Sequence, residues 1–210
     1  MTIEQARAII RERPHLHVAR DGTTKDGGLN PLIGRRFIDE ISVLDRPRIA
    51  ETGTGLSTLL FLSLDPGEVI TISPAPELHE RTRAEAASRG IDLTPARFVD
   101  DRSESALPLL ALVEGVELDV GFIDGNHGWP AVFVDFCYLN RMLRPGGLLF
   151  IDDIQIYAVA QLVCLLRAQQ PHYELVSIDT KMATFRKGLD LAYLPDWRME
   201  PFITSSTATA

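Results

Sequence analysis

The stretch Arg48-Ile49-Ala50-Glu51-Thr52-Gly53-Thr54-Gly55-Leu56-Ser57-Thr58 decides the fold. A short apolar run ends in an acid, passes two glycines one residue apart, and opens into a helical pattern. Glycines let the chain turn tightly and let a ligand approach the backbone. A dinucleotide fingerprint would put a third glycine where Thr58 stands, and none is there. Glu51 instead closes the strand itself, which favours a ligand with a cationic or hydroxyl-bearing end over a pyrophosphate. A Gly-rich turn that binds nothing is the alternative at this point.

Outward from this turn, short apolar runs alternate with helical patterns. The runs are 48–51, 68–72, 96–99, 118–124 and 147–152. The spacing predicts helices over 56–64, 76–89, 103–114, 129–143 and 155–169. Val132, Phe136, Leu139 and Leu143 give the fourth of these an apolar stripe. Repeated strand–helix units imply a parallel sheet covered on both faces. Two further runs, Tyr173–Ile178 and Met182–Arg186, are joined only by Asp179-Thr180-Lys181. A parallel crossover needs a dozen or more residues, so these two are expected to form an antiparallel hairpin. The fold class is therefore α/β, doubly wound. Before the sheet, helices are expected at 2–12 and 31–44, with a mobile glycine-rich loop at 20–30. The expected organisation is 1–45 as N-terminal helices and lid, 46–190 as the main domain, and 191–210 as a C-terminal segment. Its end, from Ser205, is small, polar and expected to be disordered.

Composition narrows the function. The formal charge is -8 and no Lys/Arg run interrupts it. A phosphate-backbone partner wants a basic face, so nucleic acid is not expected as substrate. No apolar run approaches the roughly 20 residues of a membrane span. The start of the chain lacks a basic-then-apolar leader. These features make a cytoplasmic location the expectation. Cys137 and Cys164 lie in helix-like apolar stretches. They read as buried thiols, with pairing as the other option.

Two further constellations carry chemistry. Phe122-Ile123-Asp124-Gly125-Asn126-His127 ends the fourth run. Leu143-Arg144-Pro145-Gly146-Gly147 leads into the fifth, which ends Phe150-Ile151-Asp152-Asp153. Ligands of such sheets bind outside the carboxyl ends of the strands. Glu51, Asp124, Asp152 and Asp153 are expected to converge there. Clustered acids repel unless a cation or donor joins them. Asp124, Asp152 and Asp153 can supply oxygen ligands to a hard divalent ion such as Mg²⁺. Alternatively, Asp153 caps the next helix and the others meet only organic ligand or water.

Taken in order, these motifs resemble the class I S-adenosylmethionine-dependent methyltransferases over about residues 30 to 188. The pattern is most similar to the small O-methyltransferases of the catechol and macrolide-sugar types. The motifs are Glu51-x-Gly53-x-Gly55, Ser103-Glu104-x-x-Leu107-Pro108, Phe122-Ile123-Asp124-Gly125-x-His127 and Pro145-Gly146-Gly147 with Asp152-Asp153. The resemblance implies a Rossmann-like methyltransferase fold with a mostly parallel seven-stranded sheet. Its order is 3-2-1-4-5-7-6, strand seven is antiparallel, and helices cover both faces. It implies that Glu51, Thr52, Gly53, Thr54, Gly55 and Ser57 hold the methionine end of the cofactor. Asp101, Arg102 and Ser103 are then near the adenine, and Asp124 lies at the cofactor as well. Asp124, Asp152 and Asp153 match the divalent-metal positions, where Mg²⁺ would hold the acceptor oxygen and lower its pKa. His127 falls where some members place a general base; an imidazole suits neutral pH. The resemblance also allows a homodimer, which the sequence itself does not show.

One departure stands out. Strand two of the family ends in an acid that holds the ribose, and here Ser73-Pro74 takes its place. Ser73 offers one neutral hydroxyl, and Glu77 is the nearest acid beyond it. Trp129 and Pro130 either wall an acceptor pocket or start a helix. His15, His17, His79 and His172 show no ligand spacing. Trp197 is expected to pack the C-terminal segment down. The function expected is O-methylation of a small hydroxylated molecule. A non-catalytic cofactor-binding protein, a nicotinamide oxidoreductase and an N-methyltransferase are the competing readings.

Overall fold

The apolar runs become strands and the helical patterns become helices at nearly the expected bounds. The computed structural model describes residues 3–18, 22–25, 29–170, 172–188 and 198. The chain divides into two units, Met1–Arg102 and Ser103–Ala210.

The first unit opens with α1 (Ile3–Glu12), the short antiparallel pair β1 (His17–Val18) and β2 (Thr24–Lys25), and α2 (Pro31–Ile41). The Asn30 side chain accepts the Leu32 N–H at 2.9 Å, and Pro31 sits in the first turn, where its missing N–H is harmless. Then follow β3 (Arg48–Thr52), α3 (Leu56–Leu62), β4 (Glu68–Ile72), α4 (Pro76–Ser88) and β5 (Ala96–Val99). The three longer strands are parallel in the order β5-β4-β3. Neighbouring strand residues point to opposite faces. Ile49, Ala50, Glu51 and Thr52 are all buried, so both faces of β3 are covered. In β5 all four residues are half-buried, as suits an edge. All seven residues of α3 are buried, so this helix has no solvent face.

The second unit contains α5 (Ser103–Leu109), β6 (Leu118–Ile123), α6 (Ala131–Met142), β7 (Leu143–Ile151), α7 (Tyr157–Ala168), β8 (Tyr173–Ile178) and β9 (Ala183–Lys187). The single helix expected over 103–114 is two pieces. Pro108 lies near the end of α5, and the chain continues as a wider turn, Leu110–Glu114, closed by Gly115 at φ 65°. Proline lacks an N–H and crowds the preceding turn, and wide turns accommodate such breaks. β7 begins earlier than expected, with Leu143 opposite Leu118. Pro145-Gly146-Gly147 occupy an irregularity before Leu148 meets Val120. The final hairpin is antiparallel, and the order in this unit is β6-β7-β9-β8.

The seven strands thus carry the expected sequence of positions: three, two, one in the first unit and four, five, seven, six in the second. Within the second unit β9 alone is antiparallel. This is the doubly wound α/β fold expected, with a mostly parallel seven-stranded sheet. A lysine is buried at its end: Lys187, 1% exposed, donates from Nζ to the carbonyls of Asn140 (2.8 Å) and Leu143 (2.6 Å). Tyr173 donates to the Asn140 side chain and packs edge-on against Phe136.

Two expectations are corrected, and three fall outside the described residues. Cys137 and Cys164 are free thiols, but Cys137 is half-buried and Cys164 exposed. The buried face of α7 is Val159, Leu162, Val163 and Leu166, and Cys164 projects away from it. Phe136, placed in the apolar stripe of α6, is only half-buried. Trp197, the tail from Ser205 and much of the 20–30 loop lie outside the described residues. Among the described residues, no helix is long and apolar enough to cross a membrane.

Candidate functional site

Glu51, the last residue but one of β3, has a fully buried side chain. The Ser57 hydroxyl donates to its Oε2 at 2.5 Å and the Thr58 hydroxyl to its Oε1. Thr58 in turn accepts the Gly55 N–H at 2.9 Å. Thr58, the residue that replaces a dinucleotide glycine, therefore locks the carboxylate to the turn. Burial pushes the Glu51 pKa up to about 7, against the hydrogen bonds from Ser57 and Thr58. Gly53 (φ 99°) and Gly55 (φ 152°) hold conformations that side chains rarely adopt. A Cβ on Gly55 would stand 3.1 Å from His17 Nε2.

Beneath the turn lies a second set of bonds. The Thr54 hydroxyl meets the Thr71 hydroxyl at 2.6 Å, and Thr71 also donates to the Gly53 carbonyl at 2.9 Å. His79 Nε2 reaches the same Thr54 oxygen at 2.9 Å, while its Nδ1 pairs with Asp100. His79 is fully buried, and burial lowers its pKa against the opposing pull of Asp100. Sequence reading gave this histidine no role. Its signal was its place in the first turn of the helix after strand two, which only the fold reveals. Thr52 and Ser73 are buried at the ends of β3 and β4. Asp101 and Arg102 are exposed, with the Arg102 N–H bonded to Asp101 Oδ1 at 2.7 Å, and Ser103 begins α5.

In the second unit, His127 stands between two acids. Its Nε2 is 3.7 Å from Asp124 Oδ1 and its Nδ1 is 3.7 Å from Asp153 Oδ2. Asp152 is buried, and its Oδ1 has no hydrogen-bond partner. Burial raises its pKa. Asp153 has φ 53° and accepts bonds at Oδ1 from Gln155 (2.8 Å) and from Lys181 Nζ (3.1 Å). Burial opposes its charge, but these donors and the Lys181 charge outweigh that, so its pKa is lowered. Lys181 is a member of this cluster that sequence reading missed. Pro130 immediately precedes α6, so the helix-start reading describes it; Trp129 is 75% exposed and packs edge-on against Phe133.

Residues 50–154, half of the chain, match the family described as a methyltransferase domain. The chain belongs to that family. No curated protein matches the methyltransferase. Solved structures share its fold. The O-methyltransferase TomG from Streptomyces achromogenes, involved in tomaymycin synthesis and solved with S-adenosylmethionine, is 17% identical with a TM-score of 0.72. That match covers 90% of this chain and 92% of TomG. The methyltransferase PaMTH1 of Podospora anserina, bound to S-adenosylhomocysteine, is 17% identical over 89% of this chain and 87% of its own, with a TM-score of 0.62. MycE, from the mycinamycin biosynthetic pathway and in complex with Mg and S-adenosylhomocysteine, is 21% identical over 80% of this chain and 52% of its own (TM-score 0.57).

The acidic cluster of this methyltransferase does not fit a resident Mg²⁺ as it is arranged. Among the described residues no three His, Cys, Asp or Glu side chains gather closely enough to hold a metal. An ammonium already sits against Asp153.

Proposed function

We propose that the protein transfers the methyl group of S-adenosylmethionine to an oxygen of a small hydroxylated acceptor. The observation that carries this reading is Glu51, a buried carboxylate fixed at a glycine turn with its charge only partly compensated by hydroxyls. An incoming ammonium, as on the methionine end of the cofactor, completes that compensation. The Gly53–Gly55 backbone then lines the same end, Asp101 to Ser103 serve the adenine side, and Ser73 gives the ribose one neutral hydrogen bond.

Bound S-adenosylmethionine supplies an electrophilic methyl on sulfur; the acceptor oxygen bonds to that carbon as the carbon–sulfur pair withdraws onto sulfur. The acceptor hydroxyl must lose its proton, and His127 is the base in this reading. Asp124 and Asp153, each 3.7 Å from the ring, stabilise the imidazolium that forms. Holding the acceptor in line supplies much of the rest. The net charge of -8 supports a small acceptor over nucleic acid.

Ser73 in place of the ribose acid favours a second reading, a cofactor-binding protein without turnover. Calorimetric titration with S-adenosylmethionine, S-adenosylhomocysteine and NAD tests the proposal. Binding of the two sulfur compounds and not NAD is expected, and Glu51→Gln should weaken it. No binding of either sulfur compound sinks the proposal. Binding without methyl transfer to any of a broad panel of hydroxylated acceptors favours the second reading.

A further inference from the structure

Lys181 is presented to the acidic cluster by its backbone. Asp179 Oδ1 accepts the N–H groups of Lys181 (2.7 Å) and Met182 (2.9 Å), which closes the β8–β9 turn. The Asp179 N–H binds the Met182 carbonyl at 3.0 Å across the same turn. The Lys181 carbonyl accepts the Ile154 N–H at 2.9 Å, which ties the turn to the segment that follows β7. These bonds set the base of the side chain, and the ammonium ends 3.1 Å from Asp153 Oδ1. Asp124 and Asp152 also act on it through their charge. On the other side, Asp153 is held at φ 53°, a conformation that persists only where the surroundings enforce it.

We propose that Lys181 is the built-in cation of the Asp124–Asp152–Asp153 cluster and occupies the charge-balancing place that a divalent ion would take. All three carboxylates act on the Lys181 ammonium through their charge, and acids that share one corner need positive charge beside them. An ammonium meets that need permanently, without an open coordination sphere. A divalent ion at Asp153 would face a fixed positive charge only a few ångströms away, in a setting less polar than water. The cluster is therefore closed to Mg²⁺, and proton removal falls to His127 without metal assistance. That catalytic meaning rests on the proposed function; the exclusion of metal does not.

The test is a spin-resonance titration of the full chain with Mn²⁺, in the presence of S-adenosylhomocysteine. Wild type, Lys181→Met, Lys181→Gln and Lys181→Arg are compared, with melting curves to identify folded variants. Wild type and Lys181→Arg should bind Mn²⁺ weakly and equally. Either neutral variant should bind at least about tenfold more tightly, and adding Asp153→Asn should remove the gain. Wild-type binding as tight as that of the neutral variants overturns the proposal. So does a folded neutral variant that gains nothing. Calorimetry of S-adenosylhomocysteine on the same samples keeps the two readings apart: a chain that ignores that compound yet shows the Mn²⁺ pattern loses the proposed function and keeps the cation site.

Discussion

His79 Nε2 lies 2.9 Å from the Thr54 hydroxyl and so ties the first turn of α4 to the glycine turn after β3. The ring is fully buried and its pKa is lowered, chiefly by burial. The unfolded chain therefore binds more protons than the native one once the pH falls below the ordinary histidine value of 6.5. The contribution of His79 is whole above that value and declines as the pH drops through it. Urea denaturation from pH 7.5 to pH 5 should show the stability of wild type declining relative to that of His79→Asn, in which the other titrating groups are unchanged. At neutral pH, His79→Ala should destabilise by about 1–3 kcal/mol.

Glu51 has the opposite sign. Its folded pKa of about 7 exceeds the ordinary 4.5, so the empty protein favours the protonated acid. Stability from this residue is whole below pH 4.5 and falls as the pH rises towards 7, by something on the order of 3 kcal/mol. A cationic ligand reverses the preference. Affinity for S-adenosylmethionine should rise up to about tenfold per pH unit below 7 and level off above it. Glu51→Gln should flatten both profiles, read by denaturation and calorimetry across the same range.

In the proposed reaction His127 takes the acceptor's proton. His127→Asn should lower methyl transfer by about 10²–10⁴-fold and leave S-adenosylhomocysteine binding within about twofold of wild type, since binding is assigned to other residues. Equal loss of binding and turnover would move His127 out of the base role. Initial rates and calorimetry on one preparation make the comparison.

Lys187 bonds two carbonyls at the end of α6 and the start of β7 while almost wholly buried. Lys187→Met keeps the length of the chain and loses both bonds. It should destabilise by about 2–4 kcal/mol, because hydrogen bonds to charged groups are the costly ones to remove. Chemical denaturation measures this directly, and unchanged stability would mean that water replaces the ammonium.

The core of the sheet was legible because its strands are short runs buried on both faces, so apolar sequence alone marks them. Val69 to Ile72 and Phe122 to Ile123 needed no periodicity to be found. Edges and breaks were harder. Leu143 joins β7 only because it pairs with Leu118 across an irregularity, and Pro108 divides a helix whose apolar pattern continues beyond it. Glu51, His127 and the paired aspartates sit in motifs, and motifs survive in sequence. His79 and Lys181 belong to no motif. One is defined by burial and the other by a turn that returns to meet Asp153, and both facts exist only after folding.

The placement of Lys181 also sets an order of events. Asp124, Asp152 and Asp153 leave the ribosome before Lys181, which arrives with the last hairpin. A nascent chain released up to α7 carries the acids without their counter-charge. The closing of the β8–β9 turn supplies it. A chain stalled before that turn would leave Asp153 without the ammonium that stands 3.1 Å away in the folded protein.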